Sequence, residues 1–170
     1  MSLADLRAGV LEAKEAGLPV FATITVEDNG RTIMGTKFLP VLIPLQALGA
    51  AAVGLNCSTG PEVMEDLLEG AVSHAQVPLI AKPNAGKPSQ EDPAVYPLSP
   101  AEFAEKMESL LAAGAQIVGG CCGSTPEHIR ELAQTVENTY RELAPQEPDH
   151  FAAAIERESF FLGAAISLSE

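Results

Sequence analysis

The sequence predicts an α/β fold built from about four parallel β/α units. Short apolar, β-branched runs alternate with amphipathic segments, and the connections between them are brief. Several of the amphipathic segments begin with a helix-start signal, such as an early proline or a capping box. This alternation implies a parallel sheet with right-handed crossovers. Four units fit either a small open sheet or half of a (β/α)8 barrel, whose full form needs roughly 250 residues.

The first half of the chain is expected to supply two helices and two strands. An opening helix is indicated by apolar residues on one face, at Leu3, Leu6, Val10 and Leu11, and Gly17 is expected to end it. Pro19–Val26 has the β-branched character of a buried strand. An apolar, helix-like segment follows, although Pro40 and Pro44 disfavour helix in its first turns. Ala50–Cys57 is the second expected strand.

The second half repeats this pattern twice. Pro61 is well placed to open a helix, and Val77–Gly86 is expected to form a strand that runs into a loop. Ser99 and Glu102 have capping-box spacing ahead of a helical stripe formed by Phe103, Met107, Leu110 and Leu111. The fourth strand is expected at Ala115–Gly120. A last helix follows it, opened by Pro126, with Ile129, Leu132, Ala133 and Val136 on one face.

The expected domain organisation is one unit over residues 1–143 and a linker with a tail over 144–170, read as a linker helix and a short strand. The chain has 170 residues, of which 46% are hydrophobic, which is enough for one core. Its net charge of −13 argues against nucleic acid or an anionic membrane as a partner. Without a long apolar run or a signal-peptide pattern, and with only three cysteines, a cytoplasmic location is expected.

All three cysteines follow expected strands. Cys57 ends the second strand, and the adjacent Cys121 and Cys122 lie in the sequence GGCCG after the fourth. The carboxyl ends of parallel strands carry the chemistry of α/β proteins. Three thiolates fit Zn²⁺ and leave a fourth position open, as in catalytic zinc sites. Gly119, Gly120 and Gly123 would let adjacent side chains reach one ion.

Three other interpretations of this pattern are open. The residues can be ordinary small buried cysteines, which are common in cores. A glycine-rich loop before a helix can instead bind phosphate, although this leaves the cysteines without a role. A redox pair is disfavoured, because vicinal cysteines form a disulfide only with strain. Spacing alone therefore supports zinc moderately.

Other candidate residues carry weaker signals. Asn56 can contact substrate or orient a thiolate, or simply form a turn. The Lys82–Gly86 segment can line the pocket, but shaping of the loop is favoured. His128 is a candidate fourth zinc ligand, although its side chain is expected to point away along the helix surface. His74 and His150 are expected at the surface, and Glu102 and Glu127 are expected to stabilise helix starts.

Four segments of the chain resemble the homocysteine S-methyltransferase family in order and spacing. They read VGLNCSTGPE, PLIAKPNAGKP, YPLSPAEFAEKM and GAQIVGGCCGSTPEHIREL. PVFATITVEDNGRTIMGT resembles the preceding strand and loop, so that the similarity extends over roughly residues 3–143. The resemblance implies a zinc-dependent TIM-type barrel, of which this chain would be the C-terminal half, strands five to eight.

The resemblance also implies a site and a reaction. In the family, cysteines at the positions of Cys57, Cys121 and Cys122 bind one zinc ion, and the sulfur of homocysteine takes the open position for methylation to methionine. Methylcobalamin on a further domain, S-methylmethionine and betaine are all compatible methyl donors. Cobalamin and methyltetrahydrofolate would belong to other domains of a longer parent, as in cobalamin-dependent methionine synthase.

One part of the family pattern has no counterpart here. The N-terminal half barrel helps to hold the amino acid through an Asp-Gly segment and a glutamate at the end of the fourth strand. A half barrel exposes strand edges and apolar surface, so self-association or a complementary N-terminal half is expected. The rival functions are a catalytically silent zinc-binding half that assembles with another chain, and a phosphate-binding half barrel without zinc.

Overall fold

The fold is organised around a four-stranded parallel sheet. The computed structural model describes residues 2–139 and the backbone of residues 151–155 and 158–162. Its parallel strands are β1 (Phe21–Ile24), β2 (Ala52–Asn56), β3 (Leu79–Lys82) and β4 (Ala115–Val118), hydrogen-bonded in the order β1-β2-β3-β4. The strands follow one another in space as in sequence, which is the arrangement of successive right-handed β/α units. The predicted α/β class with four parallel units is confirmed.

Five helices accompany this sheet. They are α1 (Leu3–Glu15), α2 (Leu39–Ala47), α3 (Pro61–Val72), α4 (Pro100–Ala112) and α5 (Pro126–Thr139). The apolar core lies between the helices and one side of the sheet, and Leu55, Leu68 and Met107 are fully buried in it. All four strands are shorter than predicted, because the apolar pattern continues into the loops at their ends.

Helix α1 begins with a capping box in which Ser2 and Asp5 satisfy each other's backbone N–H groups. Val10 is buried as predicted, and Leu3 and Leu6 pack against the core. Leu11 is 49% exposed, so its assignment to the buried face was wrong. The buried stripe of α1 is narrower than the sequence suggested. Gly17 follows the helix with a φ of 73°, as expected of a terminating glycine.

Helix α2 forms despite its two prolines. Pro40 lies in the first turn, where a backbone N–H would have no acceptor within the helix, so its absence costs no hydrogen bond. Only Pro44 lies further inside the helix. Pro40, Val41 and Leu45 are buried, so the helix is stabilised by packing. The expectation that its first turns would be disfavoured was therefore wrong.

The buried face of helix α5 also differs from the prediction. Leu132 is buried and Val136 packs against the core, but Ile129 is 45% exposed and Ala133 is exposed. His128 is buried instead, four residues before Leu132. The polar histidine takes the core-facing position because hydrogen bonds satisfy both of its ring nitrogens.

In the tail, Phe151–Ile155 and Glu158–Leu162 form an antiparallel pair of strands, β5 and β6. This corrects the prediction of a linker helix for this part of the tail. The remaining residues of 144–170 lie outside the described residues. Across the part of the chain that is described, no helix has the length and apolarity needed to cross a membrane.

Candidate metal centre

Three thiols converge at the carboxyl ends of β2 and β4. The Sγ atoms of Cys57, Cys121 and Cys122 all lie within 4.8 Å of one another, and the Cys57 and Cys122 sulfurs are 3.6 Å apart. Within residues 2–139, no other group of three metal-ligating side chains is this close. The thiols are free, and Cys122 is exposed. The predicted convergence of the two strand ends is therefore observed.

Cys57 lies at a sharp change of direction. Its amide still donates to the Lys82 carbonyl at 3.0 Å, continuing the ladder between β2 and β3 by one residue. Its φ is 63° and that of Ser58 is 60°, in the left-handed region that residues with side chains rarely adopt. Such strain persists where the surrounding structure enforces it, which is common at functional sites. Here it turns the chain from the sheet into the start of α3.

Close packing requires glycine at positions 120 and 123 of GGCCG, and backbone conformation favours it at position 123 as well. Gly123 has a φ of 79°, and a Cβ there would lie 2.3 Å from Cγ of Tyr96. A Cβ at Gly120 would lie 2.2 Å from Oγ of Ser124. Both distances are shorter than any normal contact. Larger residues would displace the loop that carries Cys121 and Cys122.

Asn84 is the side chain that holds this loop, and it belongs to the Lys82–Gly86 segment for which loop shaping is favoured from the sequence. It is 2% exposed, and its Oδ1 accepts the Cys122 N–H at 3.0 Å. The Ala85 N–H donates to the Cys122 carbonyl at 2.9 Å, and the Cys121 N–H donates to the Pro83 carbonyl at 2.9 Å. The Lys82–Gly86 segment, read mainly as loop shaping, therefore fixes both vicinal cysteines. The sequence feature that points to this segment is its position, at the end of the strand that lies between the two strands followed by cysteines.

The amides of this loop are largely engaged within the protein. A phosphate cradle needs several free N–H groups that point at the anion. The amides that donate to protein acceptors instead are those of Gly119, Cys121, Cys122, Ser124 and Thr125. This geometry disfavours the phosphate-binding interpretation.

His128 is hydrogen-bonded to Thr125, just after the cysteine loop, and is not part of the sulfur cluster. Its Nδ1 accepts the Thr125 N–H at 3.2 Å, so Nε2 carries the proton and donates to the Leu98 carbonyl at 2.9 Å. Its ring packs edge-on against Phe103, with 5.6 Å between ring centroids. It is 5% exposed, so the expectation that it points along the helix surface was wrong. With both nitrogens engaged, it has no lone pair for a metal.

Tyr96 lies next to the thiols and was missed. Its ring packs on Gly123, and its pKa is raised by desolvation, then by the neighbouring Cys122 side chain and by the charges of all three cysteines. It is the first residue of YPLSPAEFAEKM, one of the segments that resemble the family, but the sequence analysis assigned it no role. Its proximity makes it part of the site.

The remaining candidate residues are Asn56 and two histidines. Asn56 is half-buried and lines a cavity of about 450 Å³ together with Thr25 and Glu27. Its role in substrate binding stays a prediction. His74 is half-buried instead of lying at the surface, and His150 is outside the described residues.

Glu102 and Glu127 lie in the first turns of α4 and α5, as expected of residues that stabilise helix starts. The pKa of Glu102 is lowered by hydrogen bonds from the Ser99 side chain and backbone. The pKa of Glu127 is lowered by its own backbone N–H and by Thr125. Both are therefore ionised near neutral pH, where they interact favourably with the helix N-termini.

Comparison with known structures supports a barrel fold. Homocysteine methyltransferase MmuM from Escherichia coli, in its metallated form, superposes with a TM-score of 0.60 at 23% identity, covering 78% of this chain and 41% of that one. The apo form of the same enzyme gives a TM-score of 0.61 and covers 46% of that chain. At this identity the similarity concerns the fold, and the four units correspond to part of such a barrel.

Sequence comparison is more specific. Methionine synthase of Mycobacterium tuberculosis is 42% identical over 147 residues, and that of Mycobacterium leprae is 38% identical over 156 residues. These matches cover 82% and 87% of this chain but only 12% and 13% of the relatives. The profile of the family described as homocysteine S-methyltransferase matches residues 1–136. The chain therefore belongs to the homocysteine S-methyltransferase family.

Proposed function

We propose that this chain is the metal-binding part of a homocysteine S-methyltransferase, in which Cys57, Cys121 and Cys122 hold Zn²⁺ and homocysteine is the methyl acceptor. The observation that carries the proposal is the convergence of three thiols from two strand ends. Membership of the family supports the substrate and the reaction.

The arrangement of the sulfurs fits zinc. Tetrahedral coordination with Zn–S bonds of about 2.3 Å places ligand sulfurs roughly 3.8 Å apart. The Cys57 and Cys122 sulfurs are 3.6 Å apart, and all three lie within 4.8 Å. Small side-chain rotations would therefore complete a three-sulfur site. Since His128 is engaged elsewhere, the residues around the cluster leave the fourth position to a substrate thiol.

The protein's own residues prepare this site for the reaction. When bound, zinc would deprotonate the homocysteine thiol and supply a thiolate at neutral pH. The chain holds its cysteines with the thiols already converged, because Asn84 and the Pro83 carbonyl fix the loop that carries Cys121 and Cys122. Exposure of Cys122 leaves one side of the cluster open to an incoming substrate.

We further propose that residues 1–143 form the C-terminal half of the barrel, strands five to eight, and that 144–170 act as a linker and tail. In the described sheet, β1 and β4 are edge strands, and Phe21 on β1 is 60% exposed. An N-terminal half barrel or a second copy of the chain would cover these edges. In a longer parent, cobalamin and methyltetrahydrofolate would be supplied by other domains. A cytoplasmic location is part of the proposal.

The first test is metal analysis of the purified chain. We expect about one zinc ion per chain in the wild type, and loss of that zinc in Cys57→Ser and in Cys121→Ser, because two thiolates bind too weakly. Ser73→Ala, an exposed change at the end of α3, is the control and should keep its zinc. Zinc binding that survives both cysteine variants would refute the site.

A second test separates an enzyme from a silent assembly element. Homocysteine-dependent methyl transfer and homocysteine binding should be measured for the zinc-loaded chain and for a longer protein that contains it. We expect homocysteine to bind with its sulfur on the metal. If neither zinc-loaded protein binds homocysteine, the methyltransferase proposal fails and the assembly function is favoured.

A further inference from the structure

We infer that Lys82, the last residue of β3, binds the carboxylate of the amino-acid thiol at the metal site and thereby favours homocysteine over thiols that lack a carboxylate. Lys82 is then a substrate-binding residue as well as the start of the segment that shapes the loop. The inference rests on the proposed function and names a determinant of specificity within it.

Lys82 is the only charged residue in the four parallel strands. These strands read FATI, AVGLN, LIAK and AQIV, and every other residue in them is apolar or uncharged. Lys82 is also partly buried. Charged side chains are rarely placed in such surroundings without a partner, because removing them from water costs free energy. Packing alone therefore does not account for a lysine at this position.

The side chain of Lys82 lies on the face of the sheet that is turned away from the apolar core. In the register of β2 and β3, Lys82 pairs with Asn56, whereas the preceding pair, Leu55 and Ala81, belongs to the core that packs against the helices. Side chains alternate between the two faces along each strand. Lys82 and Asn56 therefore share the opposite face, which is the interior face of a (β/α)8 barrel.

Lys82 also lies between the two strand ends that carry the cysteines. Its carbonyl accepts the Cys57 N–H at 3.0 Å on the side of β2. On the side of β4, a Cβ at Gly119 would lie 3.5 Å from Cγ and 3.7 Å from Cδ of Lys82, so the aliphatic stem runs alongside the residue two positions before Cys121. A lysine stem packs in this way while its ammonium group extends into open space. The ammonium group can therefore extend toward a molecule bound to the metal.

The ammonium group of Lys82 forms no ion pair within residues 2–139. Carboxylates are abundant in this chain, with 23 Asp and Glu against 10 Lys and Arg. Lys87, five residues later, pairs with one of them, Asp28. A partly buried cation that has no internal partner in such an acidic chain fits an anion supplied by a ligand.

Homocysteine supplies an anion within the reach of a lysine side chain. When its sulfur is on the metal, only three carbon atoms separate that sulfur from the carboxylate. A contact between ammonium and carboxylate is charge-assisted and stronger than a neutral hydrogen bond. The charge of Lys82 also repels the ammonium group of the substrate, so one orientation of the amino acid is favoured.

The experiment compares Lys82→Met with the wild type after the full chain has been loaded with Co²⁺, and it follows thiol binding by the change in the cobalt absorption spectrum. The two probes are homocysteine and 3-aminopropane-1-thiol, which is the same molecule without its carboxylate. Lys82→Met should bind homocysteine roughly tenfold more weakly or worse, as expected for the loss of one hydrogen bond to a charged group. Its affinity for 3-aminopropane-1-thiol should be unchanged. Lys82→Arg, which keeps the charge, should retain most of the preference for homocysteine.

Lys106→Met is the control, because this lysine pairs with Glu62 between α3 and α4, and it should bind both thiols as the wild type does. Unchanged homocysteine binding in Lys82→Met would overturn the inference. An equal loss for both thiols, or loss of the cobalt, would overturn it as well, because either result indicates a general effect on the metal site. If neither thiol changes the cobalt spectrum of the wild type, no thiol reaches the metal, and the proposed function fails together with the inference.

Discussion

Asn84 places its one side-chain acceptor at the amide of a cysteine that lies 38 positions later in the chain. The residue is almost fully buried, and its own N–H donates to the Thr59 carbonyl at 3.1 Å. It therefore connects the loop that follows Cys57 to the loop that contains Cys121 and Cys122. The thiols converge because these two loops share this residue.

Asn84→Ala should lower the free energy of unfolding by about 1–3 kcal/mol, because it removes the acceptor of the partly buried Cys122 N–H. It should also weaken zinc binding, since the loop loses its support. Urea unfolding and a zinc-competition titration measure the two effects. Asn29→Ala removes a comparable acceptor of the Arg31 N–H in an exposed turn and should have a smaller effect. Equal losses in the two variants would contradict the role of Asn84.

Two glycines give a second test at the level of single residues. Gly123→Ala should destabilise the chain by more than about 2 kcal/mol, because the methyl group overlaps Tyr96 and the φ of 79° disfavours a side chain. Gly70→Ala, in helix α3 with no atom within 4 Å of the new Cβ, should instead stabilise it by about 0.5–1 kcal/mol. Thermal unfolding of both variants measures this difference, and effects of the same sign would contradict it.

At the level of elements, the N-terminus of every helix except α2 has an acidic residue in its first turn, with a lowered pKa. These residues are Asp5, Glu62, Glu102 and Glu127. Burial raises the pKa of Glu62. Its hydrogen bond with Lys106 and its own backbone N–H together lower the pKa by more than burial raises it, so the net shift is downward. A carboxylate whose pKa is lower in the folded state stabilises the fold above its unfolded pKa, and this contribution is lost as the pH falls through the folded value.

Acid unfolding should therefore depend on the capping box of α4. As the pH falls below 4.5, the ordinary pKa of a glutamate side chain, the wild type should lose stability more steeply than Glu102→Gln, because only the wild type must protonate a hydrogen-bonded carboxylate. Ser99→Ala should reduce the slope as well, since it removes one of the donors. Unfolding free energies at several pH values between about 3 and 7 test this; identical slopes in all three proteins would count against it.

The order and type of the elements followed from the sequence because each carries a local signal. Pro61, the Ser99 capping box and the apolar runs of the strands are such signals, and all of them are found in the structure. The buried face of α5 could not be predicted, because it depends on the hydrogen bond from His128 to the Leu98 carbonyl, 30 positions away. The partners of Asn84 and Tyr96 could not be predicted for the same reason. Their contacts with the cysteine loop are made by tertiary structure.

At the scale of the whole molecule, ion pairs connect different β/α units. Lys106 of α4 pairs with Glu62 of α3 at 2.7 Å, and Lys87 in the loop after β3 pairs with Asp28 in the loop after β1. Both are exposed, so each contributes at most about 1 kcal/mol and is weakened by salt. With a net charge of −13, these contacts place two of the ten Lys and Arg residues against acidic partners.

Cys57 has a left-handed backbone conformation and lies 65 positions before Cys122 in the chain, yet the sulfurs of the two residues are 3.6 Å apart. An ion held by both would close α3, β3, α4 and β4 into one ring of polypeptide, while α1, β1, α2 and β2 before it and α5 after it would remain outside. Such a ring restricts the unfolded chain much as a disulfide does, and the binding energy of the ion adds to the stability of the fold. The elements inside the ring would open only when the ion leaves, whereas the segments outside it would be free to exchange their amide hydrogens first.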